Sequence, residues 1–184
     1  MGSRRLLFLV PLAVFAIVAA IAAYYLSSGR DPRLLPSALI DKPAPVFAAA
    51  DLAVGETIVA KGFSSAFFKD RITVLNFFAS WCAPCLVEHP QITALSKVRG
   101  VTLVGINYKN KPDEAAAWLA RHGNPYARIG VDPTGDLAPE FGLYGVPETF
   151  LIGPRSRIRL KHVGPITISV LKDKFLPAIE ALKQ

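Results

Sequence analysis

The feature that most constrains the fold of this chain is a pair of cysteines placed shortly behind an apolar run. The run, residues 72–78, predicts a strand buried on both faces of a sheet. It is followed by Cys82 and Cys85, the two cysteines of the chain, with Pro84 between them. Pro84 suits the first turn of a helix, because the N–H that proline lacks has no intrahelical partner there. The pattern therefore predicts a strand, a turn and a helix that begins at a dithiol.

This arrangement favours redox chemistry of the two thiols. Unpaired N–H groups and the dipole at a helix start stabilise a thiolate, which predicts Cys82 as the attacking sulfur and Cys85 as the sulfur that resolves a mixed disulfide. A purely structural disulfide would close a very small loop and contribute little through chain entropy. A zinc site requires about four ligands, and the two cysteines with His89 fall short. Copper binding by the same three residues stays an alternative, and no organic cofactor is expected.

The N-terminal segment predicts a membrane anchor over residues 1–28. Arg4 and Arg5 precede 21 uncharged residues, 6–26. At about 1.5 Å per residue a helix of that length reaches roughly 30 Å, enough to cross a bilayer core. The two arginines favour a cytoplasmic N-terminus and a periplasmic or external domain. A cleaved signal peptide is the alternative, because small residues at 20–22 offer a cleavage site.

The rest of the chain predicts a tether and one domain. Prolines are dense over residues 29–45, which favours an extended tether, and residues 46–184 are long enough for a single domain with a core. The formal net charge is +7, but the basic residues are scattered. Because no dense basic run with interleaved aromatic residues occurs, the charge does not indicate nucleic-acid binding.

Strand and helix patterns alternate within the domain. Strands are predicted at 72–78, 101–108, 127–131, 148–152 and 158–163, after short strands or loops between 46 and 59. Helices are predicted at 84–97 with a kink near Pro90, at 112–122, at 136–141 and at 167–182, the last with an apolar stripe of Ile168, Leu171, Phe175, Ile179 and Leu182. This order predicts a three-layer α/β/α domain with a central mixed sheet.

Three segments resemble a known family. They are residues 75–85 (LNFFASWCAPC), 88–90 (EHP) and 145–152 (GVPETFLI). Together they are similar to the membrane-anchored thiol:disulfide oxidoreductases of cytochrome c biogenesis, the CcmG or DsbE type, from about residue 39 to the C-terminus. The resemblance implies a thioredoxin-like fold and a periplasmic reductant on a bacterial inner membrane. It also implies apocytochrome c or a partner thiol protein as substrate, and a DsbD or CcdA type membrane protein as electron donor.

The resemblance also implies a substrate surface around the dithiol. Pro147 is expected to be a cis-proline that faces the cysteines, with the backbone of Val146 exposed to pair with an extended substrate segment. Trp81, directly before Cys82, and Glu148, directly after Pro147, are expected to contribute to the same surface.

Asn76 departs from the pattern of ordinary thioredoxins, which carry a buried aspartate at this place. An amide cannot transfer a proton as a carboxylate does. Glu88, three residues after Cys85, is the candidate replacement, and Glu148 beside the cis-proline is expected to add to its effect. A carboxylate near thiols raises their pKa, destabilises the thiolate and favours a reductant.

Two other functions stay open at this point. One is an anchored thioredoxin-like reductase that serves another target, such as a copper-site assembly protein. The other is a non-catalytic scaffold that recruits cytochrome assembly partners while the dithiol stays idle. A peroxidase is less favoured, because a peroxidatic cysteine does not require a resolving cysteine so close in sequence.

Overall fold

The computed structural model describes residues 3–27 and 37–183, which belong to two compact units that divide after Pro36. In the first unit, helix α1 runs over Ser3–Ser27 with Pro11 inside it. Among the described residues, no helix combines the length and the apolarity needed to cross a membrane. The anchor over 1–28 stays a prediction; residues 1–2 and 28 of it, and residues 29–36 of the predicted tether, lie outside the described residues.

The second unit is built on a mixed sheet, and the predicted apolar run forms one of its interior strands. The strands are β1 Ala48–Val54, β2 Thr57–Ala60, β3 Phe63–Ser64, β4 Ile72–Phe78, β5 Val101–Tyr108, β6 Arg128–Asp132, β7 Glu148–Ile152 and β8 Ile158–Val163. Their order is β2-β1-β6-β5-β4-β7-β8, with β3 paired to β1 beside that path. Strand β4 is parallel to β5 and antiparallel to β7, and all of its residues are buried. The mixed sheet is therefore confirmed.

Helices contact both faces of this sheet. They are α2 Ala83–Ser96, α3 Pro112–His122, α4 Leu137–Phe141, α5 Ile168–Val170 and α6 Leu176–Leu182, with a 3-10 turn at Ser65–Phe68 and a π turn at Leu171–Phe175. Helices α2, α3 and α6 pack with Val74 and both cysteines in one core cluster. Helix α4 and the 3-10 turn pack with Leu75 in a second, phenylalanine-rich cluster. Because successive strand residues point to opposite faces, the two clusters lie on opposite sides of β4.

Most predicted elements occur where the patterns placed them, but the last helix differs. Strands β4 and β5 and helix α3 begin and end at the predicted residues. The C-terminal helix is interrupted by the π turn, and Ile168 is 60% exposed, whereas Phe175 and Ile179 are fully buried. A π turn inserts one residue and rotates what precedes it by about 100°, so one stripe cannot continue across it.

The C-terminal half of the predicted tether is packed. The Asp41 N–H donates to Ile158 O at 2.8 Å, and the Ile158 N–H donates to Lys42 O at 3.0 Å. Ala44 is buried, and the compact unit begins at Ser37. Residues 38–41 form a turn, and Pro43 pairs with Arg157 in a single β-bridge, so this half of the predicted tether is part of the folded unit and is not an extended linker.

Candidate active site

The two cysteines lie at the N-terminal end of α2 as a disulfide. Their sulfurs are 2.04 Å apart and their Cα atoms 5.3 Å apart. Cys82 is the N-cap of the helix, and its sulfur accepts a hydrogen bond from the Cys85 N–H at 3.1 Å. After reduction, the same N–H and the helix dipole would stabilise a Cys82 thiolate. This placement supports the prediction that Cys82 is the attacking sulfur.

An exposed apolar rim surrounds the buried disulfide. Cys82 is only 4% exposed, whereas Trp81 is 56% exposed. The Trp81 indole N–H donates to Lys109 O at 3.0 Å, which fixes the ring beside the dithiol. Leu86 and Val87, in the first turns of α2, are also exposed. Such a rim is suited to contact a peptide segment that carries a disulfide.

An asparagine that the sequence patterns did not single out supports the loop before Cys82. Asn110 Oδ1 accepts hydrogen bonds from the Ser80 N–H at 2.7 Å and from Asn107 Nδ2 at 3.1 Å. Asn110 Nδ2 donates in turn to Glu114 Oε2 at 3.1 Å. The available signal was its place just after β5, since the carboxyl ends of adjacent parallel strands meet at one edge of the sheet.

A buried polar network joins β4 to the helix that carries the dithiol. Asn76 is fully buried, and its Nδ2 donates to Glu88 Oε1 at 2.9 Å and to Thr149 Oγ1 at 3.0 Å. Asn76 Oδ1 accepts a hydrogen bond from the Tyr126 hydroxyl at 2.7 Å. Glu88 Oε2 accepts one from the Ile166 N–H at 2.9 Å. The structure thus brings together the two predicted residues, Asn76 and Glu88, and adds three partners that were not predicted.

Tyr126 reaches Asn76 because a glycine leaves room for its ring. The ring stacks on Phe78 with centroids 4.8 Å apart. A Cβ atom at Gly105 would lie 2.8 Å from Phe78 and 3.1 Å from Tyr126, too close for either ring to keep its place. Burial, and then the charge of Glu88, raises the pKa of Tyr126 well above its ordinary value, so the phenol stays neutral and donates.

Burial decides the charge of Glu88. It raises the pKa of the Glu88 carboxyl to about 7, although the hydrogen bonds from Ile166 and Asn76 act in the opposite direction. The residue is 1% exposed and lies one helical turn after Cys85. An acid that titrates near neutral pH beside a thiol has the proton affinity that a general acid–base group needs.

Replacing Glu88 by glutamine should remove a pH dependence of stability. A carboxyl whose folded-state pKa is raised binds its proton more tightly when folded, so its stabilising effect is complete below the ordinary pKa of 4.5 and is lost as the pH rises through about 7. Relative to the Glu88→Gln variant, the wild-type free energy of unfolding should fall by on the order of 3 kcal/mol across that range. Denaturant unfolding of the oxidised proteins between about pH 4 and pH 8 measures the difference.

Two further measurements make this prediction specific. Glu140→Gln, which changes an exposed carboxyl, is the matched control for the loss of one acidic group. The thiol pKa values of the reduced protein should fall in Glu88→Gln, because a nearby negative charge disfavours the thiolate. Unchanged thiol pKa values and turnover in Glu88→Gln would leave Glu88 without a role in the redox chemistry.

The structure does not place Glu148 with Glu88. In the β4–β7 register, Asn76 lies opposite Thr149 and Phe77 lies opposite Glu148. Since side chains alternate between the faces of a sheet, Glu148 points away from the Asn76 network, toward the phenylalanine-rich cluster. Glu148 was predicted to add negative charge near the thiols, but its side chain lies on the opposite face of the sheet. The sequence spacing did not reveal which face the side chain takes.

Glu148 instead organises the loop before the cis-proline. Its Oε1 accepts hydrogen bonds from the Tyr144 N–H at 2.6 Å and the Gly145 N–H at 3.3 Å. Lys161 Nζ lies 3.0 Å from Oε2 as a charge pair without the alignment of a hydrogen bond. The same ammonium donates to Gly142 O. The two side chains, which are 0% and 6% exposed, therefore hold both ends of the loop.

The predicted cis-proline is confirmed. The Val146-Pro147 peptide bond is cis. Val146 packs against the core cluster that contains both cysteines, and Pro147 is buried. The substrate-binding roles of these two residues stay predictions.

His89 faces the protein interior, away from any set of metal ligands. Its Nε2 lies 3.1 Å from His122 O, and its ring meets Trp118 edge-on with centroids 4.8 Å apart. Burial lowers the pKa of His89, which favours a neutral ring. In the described part of the chain, no group of three or more His, Cys, Asp or Glu side chains could hold a metal ion. The copper alternative therefore has no ligand set among these residues.

Comparisons with known proteins place this site in a family. Residues 41–174 match the Redoxin family. The chain is 38% identical over 178 residues to the thiol:disulfide interchange protein HelX of Rhodobacter capsulatus, covering 96% of this chain and 97% of the relative. It is 37% identical to the thiol:disulfide interchange protein DsbE of Vibrio cholerae, covering 98% of this chain and 96% of the relative.

A solved structure shows the same fold. The crystal structure of a thiol:disulfide interchange protein of the thioredoxin family from Chlorobium tepidum aligns with a TM-score of 0.62 at 26% identity, covering 82% of this chain and all of that chain. The domain has the thioredoxin-like α/β fold, and its Cys82–Cys85 pair occupies the start of α2. The chain belongs to the Redoxin family and, within it, to the thiol:disulfide interchange proteins, and it is a thiol:disulfide oxidoreductase.

Proposed function

We propose that this oxidoreductase acts mainly as a reductant in cytochrome c maturation, held at the periplasmic face of a bacterial inner membrane by residues 1–28. Its substrates are the heme-motif disulfides of apocytochrome c, reduced directly or through a partner thiol protein. A DsbD or CcdA type membrane protein supplies the electrons. The resemblance of the three motif segments to the CcmG or DsbE type and the uncharged run over 6–26 support this proposal.

The observation that carries the direction of electron flow is the buried Glu88 carboxyl on the helix of the dithiol. When ionised, it repels a thiolate one turn away and so destabilises the reduced, ionised form of the pair. Destabilising that form makes the protein a stronger electron donor. The N-cap position of Cys82 acts in the opposite direction, and it keeps enough thiolate for attack.

The reaction follows from the positions of the two sulfurs. The Cys82 thiolate attacks one sulfur of the substrate disulfide, forms a mixed disulfide and releases the first substrate thiolate, which takes up a proton. The Cys85 thiol loses its proton, for which Glu88 is the nearby acceptor, and attacks the Cys82 sulfur. The second substrate thiolate leaves and is protonated. Two electrons pass to the substrate, and the enzyme ends as the Cys82–Cys85 disulfide seen in the structure.

The reduction potential of the full chain tests the direction of electron flow. Equilibration with glutathione and thioredoxin should give a value between about −180 mV, as in protein disulfide isomerase, and about −270 mV, as in thioredoxin. Glu88→Gln should shift the potential toward less negative values. A wild-type value near −120 mV, as in the oxidant DsbA, would contradict the reductant role.

A further inference from the structure

A basic pocket lies where β7 turns into β8. The turn and the last turn of α6 enclose a cavity of about 310 Å³. Arg155, Arg157 and Arg159 line it, and Leu182 contributes an apolar wall. All three arginines are exposed to solvent.

This pocket lies at the end of the sheet opposite the dithiol. In the β4–β7 register, Thr73 lies opposite Ile152 at one end and Phe77 lies opposite Glu148 at the other. The arginines follow Ile152, whereas Cys82 follows the Phe77 end. At about 3.3 Å per residue, strand β4 separates the two ends by roughly 20 Å.

The pocket carries more positive side chains than negative ones. Arg159 pairs with the Asp41 carboxylate at 2.7 Å, and Arg157 donates to the Asp41 carbonyl. Arg155 has no side-chain hydrogen bond or ion pair among the described residues. Among the described residues, the Asp41 carboxylate, which pairs with Arg159, is thus the one counter-charge to three guanidinium groups. A bound anion would relieve this excess, and the guanidinium fork matches the oxygen geometry of a phosphate.

The start of the second unit lies beside the same pocket. Asp41 and Lys42 pair with Ile158, between the pocket arginines. Eight residues, 29–36, separate the predicted anchor from Ser37, and at about 3.3 to 3.6 Å per residue they span at most roughly 30 Å. Lipid phosphates would therefore be within reach of this end of the domain.

We propose that the Arg155–Arg157–Arg159 pocket binds the phosphate of an anionic phospholipid, with Leu182 against the glycerol and the first acyl carbons. The inference rests on the membrane anchorage in the proposed function. An excess positive charge selects an anionic headgroup over a zwitterionic one. In this orientation the dithiol points away from the lipid surface, toward substrates that approach from the periplasm.

Calorimetric titration of the full chain in neutral detergent tests the pocket. The probes are dibutyryl phosphatidylglycerol, dibutyryl phosphatidylcholine and inorganic phosphate. Phosphatidylglycerol should bind at least about tenfold more tightly than phosphatidylcholine, and Arg155→Gln should weaken it by about threefold to tenfold, the size of one lost charge-assisted contact at an exposed site. The affinity of Arg155→Lys for phosphatidylglycerol should fall between those of the wild-type chain and Arg155→Gln. Lysine keeps the positive charge but lacks the two-pronged guanidinium group.

Arg99→Gln is the matched control, since Arg99 is exposed and has no side-chain partner in the described part of the chain. If Arg99→Gln weakens phosphatidylglycerol binding as much as Arg155→Gln does, or if the two lipids bind equally well, the proposed pocket is wrong. Binding would then depend on the general surface charge of the protein. If inorganic phosphate binds as tightly as phosphatidylglycerol, the pocket recognises free phosphate, and the assignment of a lipid as its ligand would be wrong.

The outcome separates this inference from the proposed function. Arg155→Gln should leave the reduction potential and the rate of disulfide reduction unchanged, because the pocket and the dithiol lie at opposite ends of β4. Absence of lipid selectivity in the wild-type chain, with a potential in the expected range, would overturn the pocket alone. Selective lipid binding with a DsbA-like potential would overturn the reductant role alone.

Discussion

The Cys82→Ser variant is expected to reduce no disulfide at a measurable rate, a loss of at least about a thousandfold. A serine hydroxyl is scarcely ionised at neutral pH and cannot form the mixed disulfide on which the exchange depends. Helix α2 should be retained, because serine is a favourable N-cap residue. Reduction of a peptide with two cysteines in a heme-attachment motif, followed by thiol titration, measures the effect.

Cys85→Ser is the matched control, since it makes the same change of sulfur to oxygen at the resolving position. It should accumulate a covalent complex between Cys82 and the substrate, visible by mass spectrometry without reductant. A complex at Cys85 in the Cys82→Ser variant would reverse the two assigned roles.

The same Cys82→Ser chain distinguishes the candidate functions in cells. Loss of c-type cytochromes is expected. Normal cytochrome maturation with defective copper-site assembly would favour the copper-protein reductase, and normal levels of both would favour a scaffold with an idle dithiol.

Replacing Lys161 by methionine is expected to cost about 3 to 5 kcal/mol of unfolding free energy, the usual penalty for removing one partner of a buried ion pair. Glu148 is fully buried and would lose the ammonium 3.0 Å away that offsets the cost of its desolvation. The variant would also lose the hydrogen bond to Gly142 and the cation over the Tyr144 ring, whose centroid is 4.9 Å from Nζ. Denaturant unfolding of the oxidised protein measures the cost.

Two variants show whether the charge of Lys161 is the cause. Lys161→Arg keeps the charge and should retain much of the stability that Lys161→Met loses. Combining Lys161→Met with Glu148→Gln removes both charges but keeps an oxygen to accept the Tyr144 and Gly145 N–H groups, and it should cost less than Lys161→Met alone, because no buried charge is left without its partner. A loss below about 1 kcal/mol in Lys161→Met would place the pair in the class of solvated surface contacts.

Lys161→Met also has an expected kinetic consequence. The loop that the pair holds leads into the cis Val146-Pro147 bond, where the proposal places the substrate backbone. Loosening this loop should raise KM for the peptide substrate more than it lowers kcat, because the sulfurs of α2 keep their positions.

Local patterns were sufficient to predict the elements that carry the dithiol. The run over 72–78 is apolar enough to be a central strand, and Pro84 fits only the first turn of the helix behind it. Both features depend on residues close in sequence. The π turn over Leu171–Phe175 was not predictable in this way, because its insertion leaves no signal in the spacing of apolar residues.

What the sequence by itself determined is the chemistry: two thiols at a helix start, an amide where related folds carry an acid, and Glu88 one turn further on. Only the tertiary structure decided the charge state and the partners of these groups. Asn76 meets Tyr126 and Thr149, which are 50 and 73 residues away along the chain. These contacts depend on strand register and on the room left by Gly105. Burial then raises the pKa of Glu88 to about 7, while the alternation of β7 directs Glu148 to Lys161 on the other face.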